Sequence, residues 1–438
     1  MRTLLSRDLN SGKALLRTSD IKIKSILALV FILVFGICNL ISAQIIYPPL
    51  AKKLVEFSWA SPTTKEFNNN IELYDSGPFD GVSVKLSKDV GGGNIFMVDN
   101  WEKVTEEMKD KELEIVKSIG EKSALKHNFL ALYGASQMDW FSDQQWKNAE
   151  AYIRYAANLA KVGNFKGILW DPEPYKPGKN PWKMSEQPNR EGRIYYDYYT
   201  QVRKRGAQFI QAIQDEYPGV VILSLREFSD YLTASPFSQA IIPVQDIKQA
   251  KSNLEEAWWA LHLPFTIGIL DAINEDVTFI DANEEAYYYT SAMEYYKVRN
   301  DLFNDTRALL PAAIHKKFKA NYYLGHAVST DYIAGNWAGL LSAFPYRLTA
   351  QGTMLTTQEK ALWFEHNMYY ALQTSDEYVW LYSEDLNWWT GEKVPEGFLD
   401  ALQRARKKID EVQPLGFKIE EMLEKARDDA EKSGGKNK

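Results

Sequence analysis

Eight short apolar runs rich in β-branched and aromatic residues punctuate the chain after position 44, and longer segments with helical spacing of apolar positions lie between them. The runs predict strands at Leu54–Trp59, Gly81–Leu86, Phe129–Tyr133, Gly167–Asp171, Val220–Leu225, Val277–Asp281, Ala320–Gly325 and Tyr378–Ser383. The segments between predict helices over Glu102–Ile119, Asp143–Val162 with Ser142 as N-cap, Tyr195–Tyr217, Ala286–Leu309, Thr357–Thr374 and Glu396–Val412. Strand and helix in alternation mean parallel strands joined by crossovers. Eight such units, with no linker dividing them, predict a single closed (β/α)8 barrel of the TIM type over residues 44–417. An open dinucleotide-binding sheet is disfavoured, because no GxGxxG follows the first strand. From Lys418 onward the chain reads as a charged helix with a disordered end, Ser433–Lys438.

The pattern at the start is different. A basic stretch with Arg2, Arg7, Lys13, Arg17, Lys22 and Lys24 leads into the apolar run Ile26–Phe35 and ends at Ile41-Ser42-Ala43-Gln44. That order is a secretory signal, with cleavage expected after Ala43. The charge-free span from Ser25 to Gln44 is also of roughly transmembrane length, so a retained anchor is the alternative, and the only membrane contact expected. The expected location is therefore outside the cytoplasm: periplasmic, cell-surface or secreted. Cys38, the one cysteine, lies within the signal, so residues 44–438 offer no disulfide and no thiolate nucleophile. Export without cysteines suggests a bacterium.

Residues 44–438 carry a formal charge of −11, which disfavours nucleic acid as a partner. All 13 tryptophans lie in this part. Aromatic rings first supply core. A surplus beside carboxylates in loops also suits a sugar cleft, where a ring face stacks on the C–H face of a pyranose.

Barrel chemistry is done at the C-terminal ends of the strands. Strand four ends Trp170-Asp171-Pro172-Glu173-Pro174-Tyr175: two carboxylates at i and i+2 share one face of an extended segment, and the prolines stiffen the turn. Strand six runs into Asp281-Ala282-Asn283-Glu284-Glu285-Ala286-Tyr287, strand seven carries His326, and strand eight ends Tyr382-Ser383-Glu384 before Trp388. Strand one contributes Trp59. The set predicts glycoside hydrolysis, which needs one carboxylic acid to protonate the leaving oxygen and a second carboxylate as nucleophile or base. Glu173 is the expected proton donor, with Asp171 beside it, and Glu384 the expected opposing carboxylate; Glu284 and Glu285 compete for that second role. Trp59, Tyr175, Asn283, Tyr287, His326 and Trp388 are the expected sugar-binding residues. Neither a cofactor nor a metal is expected, since no HExxH or close His/carboxylate cluster occurs. The alternative function is a carbohydrate-binding barrel without catalysis.

The segments Lys166–Tyr175, Asp281–Glu284, Leu324–Ala327 and Tyr378–Glu384 together resemble exported bacterial barrel proteins regarded as glycoside-hydrolase-like. The resemblance implies a (β/α)8 fold and a poly- or oligosaccharide substrate. Asp171-Pro172-Glu173 is also similar to the D-x-E end of the chitinase-type motif, which implies Glu173 as the acid and Asp171 as its partner; Leu169 stands where that motif has a further Asp.

Overall fold

The computed structural model describes residues 51–96, 101–175, 178–232, 256–336, 351–384 and 386–434, so the signal segment lies outside the described residues. Eight parallel strands close a barrel in chain order: β1 Lys53–Ser58, β2 Gly81–Lys85, β3 Phe129–Tyr133, β4 Gly167–Asp171, β5 Val221–Ser224, β6 Thr278–Asn283, β7 Tyr322–Ser329 and β8 Tyr378–Ser383. β8 pairs with β1 over six residues, from Lys53 opposite Tyr378 to Ser58 opposite Ser383, and seals the ring. This is a TIM-type (β/α)8 fold.

The period of two along each strand divides the core. Val55, Phe57, Leu169, Leu223, Ile280, Ala282, Ala327 and Trp380 pack together inside the barrel. Leu54, Ile168, Trp170, Ile222, Phe279, Leu324, Val328 and Leu381 face outward into the layer shared with the helices. On β4 this alternation turns Asp171 inward, and on β6 it turns Asp281 and Asn283 outward.

Helix boundaries follow their caps. Ser142 accepts the Gln145 N–H at 3.3 Å and starts helix Asp143–Val162. Thr356 and Glu359 form a capping box before Thr357–Thr374. The helix expected over Ala286–Leu309 is broken: a 3₁₀ turn, Glu284–Tyr288, is followed by extended backbone, and a capping box between Ser291 and Glu294 starts the helix only at Ala292, ending at Asn304. Helix His262–Ala272 has no counterpart among the expected elements. It is largely apolar, buried at His262 and from Pro264 to Leu270, and so lacks the one-sided pattern that marks a surface helix. The charged helix expected after Lys418 occupies Glu420–Gly434.

Candidate active site

At the C-terminal mouth of the barrel lies a cavity of about 180 Å³ lined by Phe57, Ser58, Trp59, Lys85, Tyr133, Asp171, Glu173, Tyr175, Leu225, Glu284, Tyr287, Tyr288, Tyr382 and Glu384. Its floor rests on the barrel core: Phe57 and Tyr287 each pack 5.4 Å from Trp380, and Tyr382 packs 5.3 Å from Tyr287. Asp171, Glu173, Glu284 and Glu384 are thus brought into one aromatic cavity with Trp59, Tyr175 and Tyr287.

Arg226, just past β5, holds acidic side chains of the lining without itself lining the cavity. Its Nε and Nη2 both donate to Glu173 Oε1, at 2.8 and 2.5 Å. The same Nε lies 3.0 Å from Glu284 Oε2, an ion-pair contact without an aligned N–H, and Nη1 donates to Asp230 Oδ2 at 3.3 Å. Arg226 holds a left-handed backbone, φ 58°. A β-carbon is disfavoured there by about 1–2 kcal/mol, and such outliers cluster at functional sites. With two glutamate oxygens within 3.0 Å of one nitrogen, the oxygens lie under about 6 Å apart.

The second carboxyl on β4 is locked from two sides. Asp171 Oδ1 accepts the Glu173 N–H at 2.9 Å, and Oδ2 accepts the Tyr175 hydroxyl at 2.5 Å. The same hydroxyl lies 3.1 Å from Glu173 Oε2. Burial first, then the neighbouring charge of Glu173, raises the Asp171 pKa to about 7. Burial is also the main cause that pushes Glu284 well above the ordinary carboxylate range; Arg226 opposes it, and Glu173, Asp230 and Asp171 add to it. Glu284 therefore favours a proton at neutral pH, where Asp171 is near its midpoint.

Four of the expected site residues do not reach the cavity. Asn283 and His326 face outward by strand parity: Asn283 Nδ2 meets His326 Nδ1 at 3.0 Å, and the imidazole packs 5.2 Å from Tyr295 on helix Ala292–Asn304. Complete burial depresses the His326 pKa to about 3. Trp388 donates its indole N–H to Ser383 Oγ at 3.0 Å and packs against Phe79 and Phe364. Glu285 is buried away from the cavity, where its charge acts on Asp230. Glu384 does line the cavity; its N–H donates to Asp331 Oδ2 at 2.7 Å and Tyr382 donates to its Oε1 at 3.3 Å.

Arg226 escaped the sequence reading, as did Lys85. The signal for Arg226 was present: Ser224-Leu225-Arg226-Glu227 is an apolar strand ending in charge, the same pattern that singled out β4. Among the described residues, no group of three or more His, Cys, Asp or Glu side chains is arranged to hold a metal ion, and no helix is long and apolar enough to cross a membrane.

No family model matches the sequence, and no curated protein is significantly similar to it. Solved structures with a similar arrangement include an exo-β-1,4-mannosidase from Opitutaceae bacterium strain TAV5 (TM-score 0.42, 11% identity, 82% of this chain and 60% of that one). Others are GH5_18 from Streptomyces cattleya, solved with GlcNAc (TM-score 0.44, 9% identity, 84% and 82%), and a GH18 chitinase from Pseudoalteromonas aurantia (TM-score 0.35, 9% identity, 81% and 100%). The chain spans 60% of the length of the mannosidase.

Proposed function

We propose that this chain is a glycoside hydrolase that cleaves a poly- or oligosaccharide with Glu173 and Glu284 as its carboxylate pair. The observation that carries the proposal is the meeting of these two side chains at Arg226, under about 6 Å apart, in the wall of an aromatic cavity at the barrel mouth. Carboxyl groups about 5–5.5 Å apart suit double displacement with retention, whereas inversion needs about 6.5–9.5 Å to admit a water. The bound of about 6 Å between Glu173 Oε1 and Glu284 Oε2 is closer to the first arrangement.

The electrostatics support a division of labour. Arg226 fixes one Glu173 oxygen with two N–H donors, and burial favours the proton on Glu284. Glu284 then protonates the glycosidic oxygen while a Glu173 oxygen attacks the anomeric carbon and the leaving group departs. In the second half, Glu284 takes a proton from water as that water displaces Glu173. This reverses the role expected for Glu173 from the D-x-E pattern and moves the partner from β8 to β6, leaving Glu384 as a binding group.

The test is release of reducing ends from a broad glycan panel, followed by Glu173→Ala and Glu284→Ala. Loss of the nucleophile should abolish turnover and be rescued by azide as a glycosyl azide of inverted configuration. Loss of the acid should spare substrates with good leaving groups. If wild type binds a glycan yet cleaves none, the protein is a carbohydrate-binding barrel. We also propose export through residues 1–43, for which fractionation of the producing cell and N-terminal sequencing of the product are the checks.

A further inference from the structure

The cavity is closed in a way that bears on which part of a glycan it accepts. Trp59 follows β1 and Tyr175 follows β4, strands separated by β2 and β3 in the barrel. Their rings nevertheless meet edge to face, 5.3 Å apart at 68°, so the pair spans that half of the mouth. Both ends of the span are anchored. The Lys85 ammonium, from the end of β2, donates to the Trp59 carbonyl at 2.7 Å, and the Tyr175 hydroxyl is held by Asp171 and Glu173 at 2.5 and 3.1 Å. Lys85 and Tyr133, at the ends of the intervening strands β2 and β3, also line the cavity.

The size agrees with the shape. A cavity of about 180 Å³ is slightly larger than the ~150 Å³ engineered cavity that admits one benzene, so it has room for one six-membered ring with its substituents. The floor of Phe57, Tyr287 and Tyr382 packs against the barrel core at Trp380.

From this geometry we infer that the site takes a single terminal sugar ring and that the protein acts from chain ends, releasing monosaccharides. The inference rests on the hydrolase reading above and names its mode of action. Among the described residues, a linear glycan crossing the mouth over β2 and β3 would have to pass through the Trp59–Tyr175 contact, whereas a chain end inserted ring-first meets Glu173 and Glu284 with the remainder of the chain outside. The exposed face of Trp59, more than half open to solvent at 57%, is then a platform for the leaving portion of the chain.

The experiment uses the full chain on the glycan that the panel identifies, supplied as an oligosaccharide of defined length with a fluorescent tag on its reducing end. Acting from the non-reducing end, the enzyme gives free monosaccharide and a tagged product one unit shorter from the earliest time points. Opening the span with Trp59→Ala should raise the share of internally cleaved products at least several-fold, and Trp59→Phe, which keeps a ring in the contact and leaves the Tyr175 anchor intact, should not. A wild-type ladder of tagged fragments of mixed length at early times overturns the inference and leaves the hydrolase reading intact. Absence of any cleavage on the panel overturns both.

Discussion

Arg226 places two N–H groups on a single oxygen of Glu173, at 2.8 and 2.5 Å, while its backbone sits at φ 58° to do so. The fork fixes Glu173 beside two carboxyls, Asp171 and Glu284, whose pKa values burial raises. Replacing Arg226 by Met removes the cation from a site holding four carboxyl groups. We expect kcat to fall by about 10²–10³, as for loss of one electrostatic donor in other enzymes. Arg226→Lys keeps the charge but not the fork and should recover part of the rate. A kcat for Arg226→Met equal to wild type would show that the reaction does not depend on the arginine.

Asp171 is the group to examine on the basic side. Its pKa of about 7 means that it is mostly neutral below that pH and charged above it, when repulsion of Glu173 and Glu284 grows. We expect a basic limb near neutrality in the kcat profile, and Asp171→Asn should shift that limb upward by removing the ionisation. The same substitution keeps an oxygen to accept the Glu173 N–H, so the loop geometry should survive. A limb that stays in place in the Asn variant assigns it to another group.

Away from the cavity, Glu56 on β1 is 2% exposed, faces outward by strand parity, and is pushed from 4.5 to about 7 mainly by burial. A carboxyl whose folded pKa exceeds its unfolded one binds more protons in the folded state. Its contribution is fully present below about pH 4.5 and is lost as pH rises through about 7. Glu56→Gln should therefore raise Tm at pH 8, on the order of a few degrees, and leave it nearly unchanged at pH 5. Differential scanning calorimetry at the two pH values decides it, and an equal shift at both would remove ionisation as the cause.

The barrel was legible in the chain because parallel strands covered on both faces are continuous apolar runs, and eight of them stand between helical segments. The β4 carboxylates were legible for the same reason: polar groups at the end of such a run are costly unless they meet something. Strand parity was the signal left unused. With Ile280 and Ala282 inside the barrel, Asn283 must face outward and Glu284 inward, which separates the two residues that the sequence reading kept together. Trp388 could not be placed from sequence, since its indole N–H partner, Ser383, and its ring neighbour Phe364 come together only in the folded chain. Helix His262–Ala272 was hidden by its own burial, being largely apolar.

That hidden helix yields the strongest stability prediction. It crosses helix Tyr195–Glu216 at two glycines: a β-carbon on Gly206 would come 2.0 Å from the Phe265 carbonyl oxygen, and one on Gly268 would come 1.9 Å from the Arg203 carbonyl oxygen. Two effects oppose each other. Alanine is favoured over glycine in a helix by about 1 kcal/mol. The contact, however, is with backbone, which cannot rotate away, and relieving it means separating helices that are also clamped by Arg203 to Asp271 at 2.6 and 2.8 Å. Overpacking costs about 1–3 kcal/mol where side chains can adjust, and here they cannot, so Gly206→Ala and Gly268→Ala should each lower stability by at least the upper part of that range. Urea unfolding measures it. Both variants lie on the outer helix layer, so whatever fraction remains folded should retain wild-type specific activity; an alanine variant as stable as wild type would mean that the two helices do not cross at these glycines.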